Sequence, residues 1–226
     1  GGAELNVAVG VALLGLRTGV ISKLPSHDMG SFMKGKIRSY GVSDDFFMYD
    51  DSPSARVGIY YYENGAYPRK PKVIYDRANS SFYSLKIDEI PEKAYTASRC
   101  FHTSGITLAL SPKVRETTIE MIKRFKAAGT LVSFDVNFRG NLWTGEEAKE
   151  CIEQILPYVD IFFCSEDTAR LTFKKTGTAR EMMKSFTEEY PISIVASTQR
   201  IVHSPKSHTF GSIIYDARKD IYYEEE

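Results

Sequence analysis

Long hydrophobic runs are missing from this sequence. The longest weakly polar stretch, Val7 to Leu16, has ten residues, about half of what a membrane-spanning helix needs. No secretory signal is legible at the start of the chain, so a soluble cytoplasmic protein is expected. Charge of one sign is not in excess either. Lys plus Arg number 29 and Asp plus Glu number 29, which argues against nucleic acid or an anionic membrane as a partner but leaves room for a local anion pocket. Cysteine is scarce. Cys100, Cys151 and Cys164 are odd in number, far apart and each set in an apolar context, which predicts buried free thiols in a reducing compartment. The glycines near the start, at 1, 2 and 10, follow no strand and do not make a dinucleotide fingerprint. A Gly-Lys-Ser/Thr phosphate loop is absent, and no His-x-x-Glu or Cys-x-x-Cys pair suggests a protein metal cage. The four histidines, at 27, 102, 203 and 208, are scattered, and lone histidines are seldom catalytic.

What the sequence does have is a repeated rhythm. Helical patterns end at a glycine and pass at once into a short apolar strand, as in LLGLRTGVISKL, IRSYGVSDDFFM and FKAAGTLVSFD. A C′ glycine followed by a strand marks αβ units. Helix starts agree with this. Ser111-Pro112 places a cap before a first-turn proline, and Thr144 with Glu147 and Thr178 with Glu181 have capping-box spacing. Strands are expected at 18–23, 99–104, 130–136, 159–164 and 191–197, in a largely parallel, doubly wound sheet. The Gly-Gly start is expected to lead into a tightly packed helix ending near Gly15.

Residues 46–83 break the rhythm. ARVGIYYYE and PKVIYDRANS, joined through Asn64-Gly65 and two prolines, show no helical period and read as a β-hairpin with an exposed face. That gives a division into an α/β core, residues 1–45 and 84–226, and an inserted β lid, residues 46–83, since long excursions from a compact domain are usually functional. From Ser207 the chain returns to strand character, with a turn around Ala217 to Lys219.

LVSFDVNFRGNLW, residues 131 to 143, is the best candidate for the site. It opens as a buried strand and then carries Asp135, Asn137 and Arg139 at every second position. If the backbone stays extended, the three side chains share one side, at the carboxyl end of a strand where open α/β sheets bind ligands. The alternative is a self-satisfied Asp–Arg pair with a turn-forming Asn. Tyr75 and Arg77 share a face of the hairpin, and guanidinium groups with tyrosine suit an anionic polyol.

GGAELNVAVGVALLGLRTGVISKL resembles the amino-terminal signature of the ribokinase (PfkB-type) carbohydrate kinases. YDRANSS, HTSGITLAL, DVNFRGNLW and RIVHSPKSH narrow the resemblance to 2-keto-3-deoxygluconate kinases. It implies a ribokinase-like three-layer α/β/α core with a small β-sheet lid. It also implies ATP- and Mg2+-dependent phosphorylation of a sugar acid, 2-keto-3-deoxygluconate to its 6-phosphate, in a homo-oligomer joined through the lid. The substrate contacts it implies are Gly2, Asn6, Tyr60, Tyr75, Arg77, Ile106 and Arg139. Asn137 lies towards the phosphates, Thr198 and Arg200 lie on the nucleotide side, and Arg139 is the catalytic cation. The family's amino-terminal strand and its G-A-G-D segment, with anion hole and general base, are not in this sequence; the base is expected beyond Glu226 and the chain as given is expected to be catalytically incomplete. The family's N-x-x-E signature reads Ser165-Glu166-Asp167-Thr168, changed at both ends, and no metal-binding residue is assigned. A kinase for a neutral sugar, fructose or ribose, and a non-catalytic sugar-acid binding module are the rival readings.

Overall fold

The computed structural model describes every residue except Gly1, Tyr67, Pro205, Lys206 and Glu226. In it the Gly-Gly start runs directly into helix α1 (Ala3–Leu13). Gly15 closes that helix with φ +83°, and the amides of Gly15 and Leu16 donate to the carbonyls of Ala12 and Val11. This is the Schellman arrangement, which needs a left-handed residue and explains the glycine. The helix is less buried than its sequence suggests. Leu5, Ala8, Val9 and Ala12 form one stripe against Ile37, Val42, Val20 and Phe47, while Leu13 and Leu14 are about four-fifths exposed (79% and 81%). A helix apolar on every side does not reveal which stripe meets the core, so the expectation of tight packing fails for the rest of its surface.

The chain divides into two units, Gly1–Ala94 with Leu110–Thr117, and Tyr95–Ala109 with Thr118–Glu226. In the first, β1 (Gly19–Pro25), α2 (Asp28–Arg38) and β2 (Ser43–Asp50) form a βαβ element whose strands pair in parallel as a sheet of two. Residue 46, where the lid was expected to begin, lies inside β2. The hairpin is present: β3 (Ile59–Glu63) and β4 (Lys72–Asp76) pair antiparallel, with Tyr60 opposite Tyr75. Every residue of both strands is exposed, so neither face is a core face. The base of the hairpin is tied by Arg56, which donates to the carbonyls of Ala78 and Asp76 and pairs with the Asp76 carboxylate at 2.7 Å. A short helix, α3 (Lys93–Thr96), follows.

The second unit is built on a six-stranded sheet. Its strands are β5 (Cys100–Ser104), β6 (Leu131–Asp135), β7 (Ile161–Phe163), β8 (Ile194–Ser204), β9 (Ser207–Asp216) and β10 (Ile221–Glu225), in that spatial order. β5 to β8 are parallel, as the αβ rhythm predicts, and β9 and β10 add antiparallel. The intervening helices are α4 (Gly105–Ala109), α5 (Pro112–Ala127), α6 (Gly145–Glu153), α7 (Glu166–Leu171) and α8 (Ala179–Glu189). The Ser111 cap and both capping boxes form as expected. Phe134, Phe162, Phe186 and Ile152 are fully buried, consistent with strands covered on both faces. Cys151 and Cys164 are buried, but Cys100 is exposed. It stands at the first position of β5, an edge strand, which an apolar local sequence does not disclose. No described helix is long and apolar enough to cross a membrane.

Candidate active site

In the first unit the hairpin brings three expected residues together. Tyr60 and Tyr75 are cross-strand partners with ring centroids 6.4 Å apart, and the Arg77 guanidinium carbon lies 4.4 Å from the Tyr75 ring centre. Strand alternation puts Tyr75 and Arg77 on one side and Asp76 on the other, where Asp76 holds Arg56. No described carboxylate pairs with Arg77, so its positive charge is steadied by an aromatic face and left uncompensated. Gly2 and Asn6 lie exposed at the amino end of α1.

In the second unit the parallel strands end together. Ser104 is level with Asp135, Asp135 with Phe163, and Phe163 with Ala196. The expected alternation of Asp135, Asn137 and Arg139 does not survive this ending. β6 stops at Asp135, and Asn137 takes a left-handed backbone with φ +38°. The Asp135 carboxylate accepts the Asn137 amide at 3.0 Å, an Asx turn of the kind that competes with an extended strand. The rival pairing of Asp135 with Arg139 is also absent: Arg139 is exposed and makes no ion pair with a described residue. Ile106, half-buried, is the second residue of α4. Beside it Gly105 packs so closely on the end of β6 that an added Cβ would sit 2.1 Å from the Val136 carbonyl oxygen.

An open cleft of about 520 Å³ runs along the segments that follow β6 and β7, lined among others by Phe138, Thr144, Glu146, Asp167, Thr168 and Lys174. Sequence reasoning did not find this lining; the signal available was that two helix starts, at Thr144 and Ser165, lie there. The altered signature is occupied structurally. Ser165 caps α7, accepting the Thr168 amide and donating to the Thr168 hydroxyl at 2.8 Å, while Glu166 holds Arg170. Burial first, and then the Asp135 charge, push the Cys164 thiol far above its ordinary range, so it is no nucleophile.

Thr198 and Arg200 stand on the part of β8 that has outrun β7 and pairs only with β9. Both are exposed. Arg200 lies opposite Phe210, with Nη2 over the His208 ring at 3.2 Å from Nδ1 and 3.3 Å from Nε2. The other histidines have local partners. His27 caps α2, His102 meets Ser133, and His203 meets Thr209. Among the described residues there is no cluster of three or more His, Cys, Asp or Glu able to hold a metal.

Solved structures share this architecture. A PfkB family carbohydrate kinase from Listeria grayi superposes with a TM-score of 0.90 at 31% identity, covering 100% of this chain and 70% of its own. A 2-dehydro-3-deoxygluconokinase from Thermotoga maritima gives 0.89 at 30% identity, over 99% and 70%. The chain belongs to the pfkB family of carbohydrate kinases, whose profile matches residues 1–199. A 2-dehydro-3-deoxygalactonokinase from Haloferax volcanii is 35% identical over 198 residues, 88% of this chain. The chain spans 61% of the length of that relative.

Proposed function

We propose that this chain carries the sugar-acid and nucleotide contacts of an ATP-dependent kinase whose substrate is of the 2-keto-3-deoxygluconate type, phosphorylated at its 6-hydroxyl. The observation that carries the reading is the Arg77 guanidinium on the Tyr75 ring, beside Tyr60, with no carboxylate of a described residue to neutralise it. A planar cation matches the two oxygens of a sugar carboxylate, and a neutral sugar offers it nothing. The names of the Haloferax and Thermotoga relatives point to the same substrate class.

In this reading residues 46–83 serve as a lid on a core of residues 1–45 and 84–226, and the exposed hairpin is also where two copies associate. Gly2, Asn6 and Ile106 meet the sugar with the hairpin trio. Asn137 and Arg139 serve the phosphates, and Thr198 and Arg200 serve the nucleotide. Phosphoryl transfer is mostly positioning and charge stabilisation. Arg139, exposed and unpaired with any described carboxylate, suits developing negative charge, whereas Asp135 is engaged by the Asn137 amide and acts as a turn anchor rather than a base. Magnesium in such a transfer neutralises phosphate charge and needs only one or two protein carboxylates; both carboxylates lining the cleft, Glu146 and Asp167, are exposed.

Calorimetric titration tests the reading. The protein should bind 2-keto-3-deoxygluconate about ten- to a hundredfold more tightly than fructose or ribose, the worth of one charge-assisted hydrogen bond. Equal affinities would remove its main support.

A further inference from the structure

The extension of β8 and β9 beyond the sheet holds Arg200 in an unusual way. Thr198 and Arg200 alternate onto one face of this two-stranded ribbon, and cross-strand pairing brings Phe210, and two residues before it His208, onto the same face. The Arg200 guanidinium lies over the face of the His208 ring, with Nη2 3.2 Å from Nδ1 and 3.3 Å from Nε2, and its carbon is 5.5 Å from the centre of the Phe210 ring. No carboxylate of a described residue pairs with it. An exposed arginine held by a carboxylate has its charge cancelled. Here the support comes from two ring faces, the imidazole of His208 and the phenyl of Phe210, which orient a cation without cancelling its charge. The side chain is oriented while its charge and donors stay open to an anion, the condition for cheap binding of phosphate oxygens.

We propose that His208 is a positioning residue that holds the Arg200 guanidinium ready for the phosphate oxygens of a bound nucleotide, with Phe210 as the second support. The proposal rests on the reading of Arg200 as a nucleotide-side residue. Phe in place of His208 keeps a flat ring for the guanidinium to lie on, and Leu removes it.

The test is calorimetric titration of the unaltered protein and of Arg200→Ala, His208→Leu, His208→Phe and the double variant Arg200→Ala/His208→Leu, each with ATP and with 2-keto-3-deoxygluconate. His208→Leu should weaken ATP about two- to fivefold, the range of one exposed cation–ring contact, with sugar-acid affinity unchanged. His208→Phe should recover most of that loss. The double variant should bind ATP no more weakly than Arg200→Ala alone, because His208 acts only through Arg200. If Arg200→Ala weakens ATP but His208→Leu does not, His208 positions nothing and the nucleotide-side reading stands. If Arg200→Ala leaves ATP affinity unchanged, or the unaltered protein binds no ATP, the nucleotide-side reading fails and this proposal falls with it.

Discussion

The guanidinium of Arg77 rests 4.4 Å from the centre of the Tyr75 ring, and the Tyr75 ring in turn faces its cross-strand partner Tyr60. A cation stacked in this way is oriented but not neutralised, so its removal should act on an anionic ligand and hardly on a neutral one. Arg77→Leu is expected to weaken 2-keto-3-deoxygluconate by about ten- to a hundredfold and to leave weak fructose or ribose binding in place. Arg77→Lys should restore only part, since an ammonium lacks the planar fork. Competition binding with both ligand types decides it: a change within about twofold for the sugar acid would place carboxylate recognition elsewhere.

Arg139 is exposed and unpaired with Asp135, so its loss should separate function from stability. Arg139→Ala should change the unfolding free energy by less than about 0.5 kcal/mol, as for most surface substitutions. In kinase-active protein it should raise the barrier of the transfer by about 2–4 kcal/mol, read as kcat/KM against Lys113→Ala as a surface control. A loss of stability without loss of kcat/KM would make Arg139 structural.

Gly105 is a packing position. A Cβ there would sit 2.1 Å from the Val136 carbonyl oxygen and 3.3 Å from the Trp143 ring, and backbone cannot yield as a flexible side chain can. Gly105→Ala should destabilise the protein by about 1–3 kcal/mol, the usual cost of overpacking. Urea unfolding at wild-type stability would show that α4 can shift to admit the methyl.

The carboxyl group of Asp220 is held below its ordinary range by the Tyr215 hydroxyl at 2.7 Å and then by Lys184 at 3.1 Å. A folded-state pKa below the unfolded one stabilises the protein above the unfolded value, about 3.9, and that gain is lost as pH falls through the lowered folded value. Asp220→Asn should therefore melt below wild type at neutral pH, and the two curves should converge in acid. A difference independent of pH would assign the effect to the turn, where Asp220 has φ +53°.

Of the three thiols, only the exposed Cys100 should react with a thiol reagent in the native protein, and slowly, because partial desolvation of its sulfur and then the Asp160 charge raise its pKa. Cys151 and Cys164 should react only on unfolding. Labelling of Cys164 in the native state, seen by mass spectrometry, would contradict its burial among the ends of the strands.

The sequence by itself determined the local grammar of this protein. The Gly15 and Gly129 closures, the Thr144 and Thr178 boxes and the apolar run of β6 are all where their residues put them. Capping, turn chemistry and side-chain period depend on atoms a few residues apart. The motif resemblance located the family for the same reason, since each motif is contiguous. Only the tertiary structure decided what depends on distant partners. It gave α1 a single buried stripe. It left Cys100 exposed on an edge strand and set Arg200 against His208 across the ribbon. Burial and pairing are properties of which surfaces meet, and a linear pattern fixes the surfaces on offer without fixing which of them find each other.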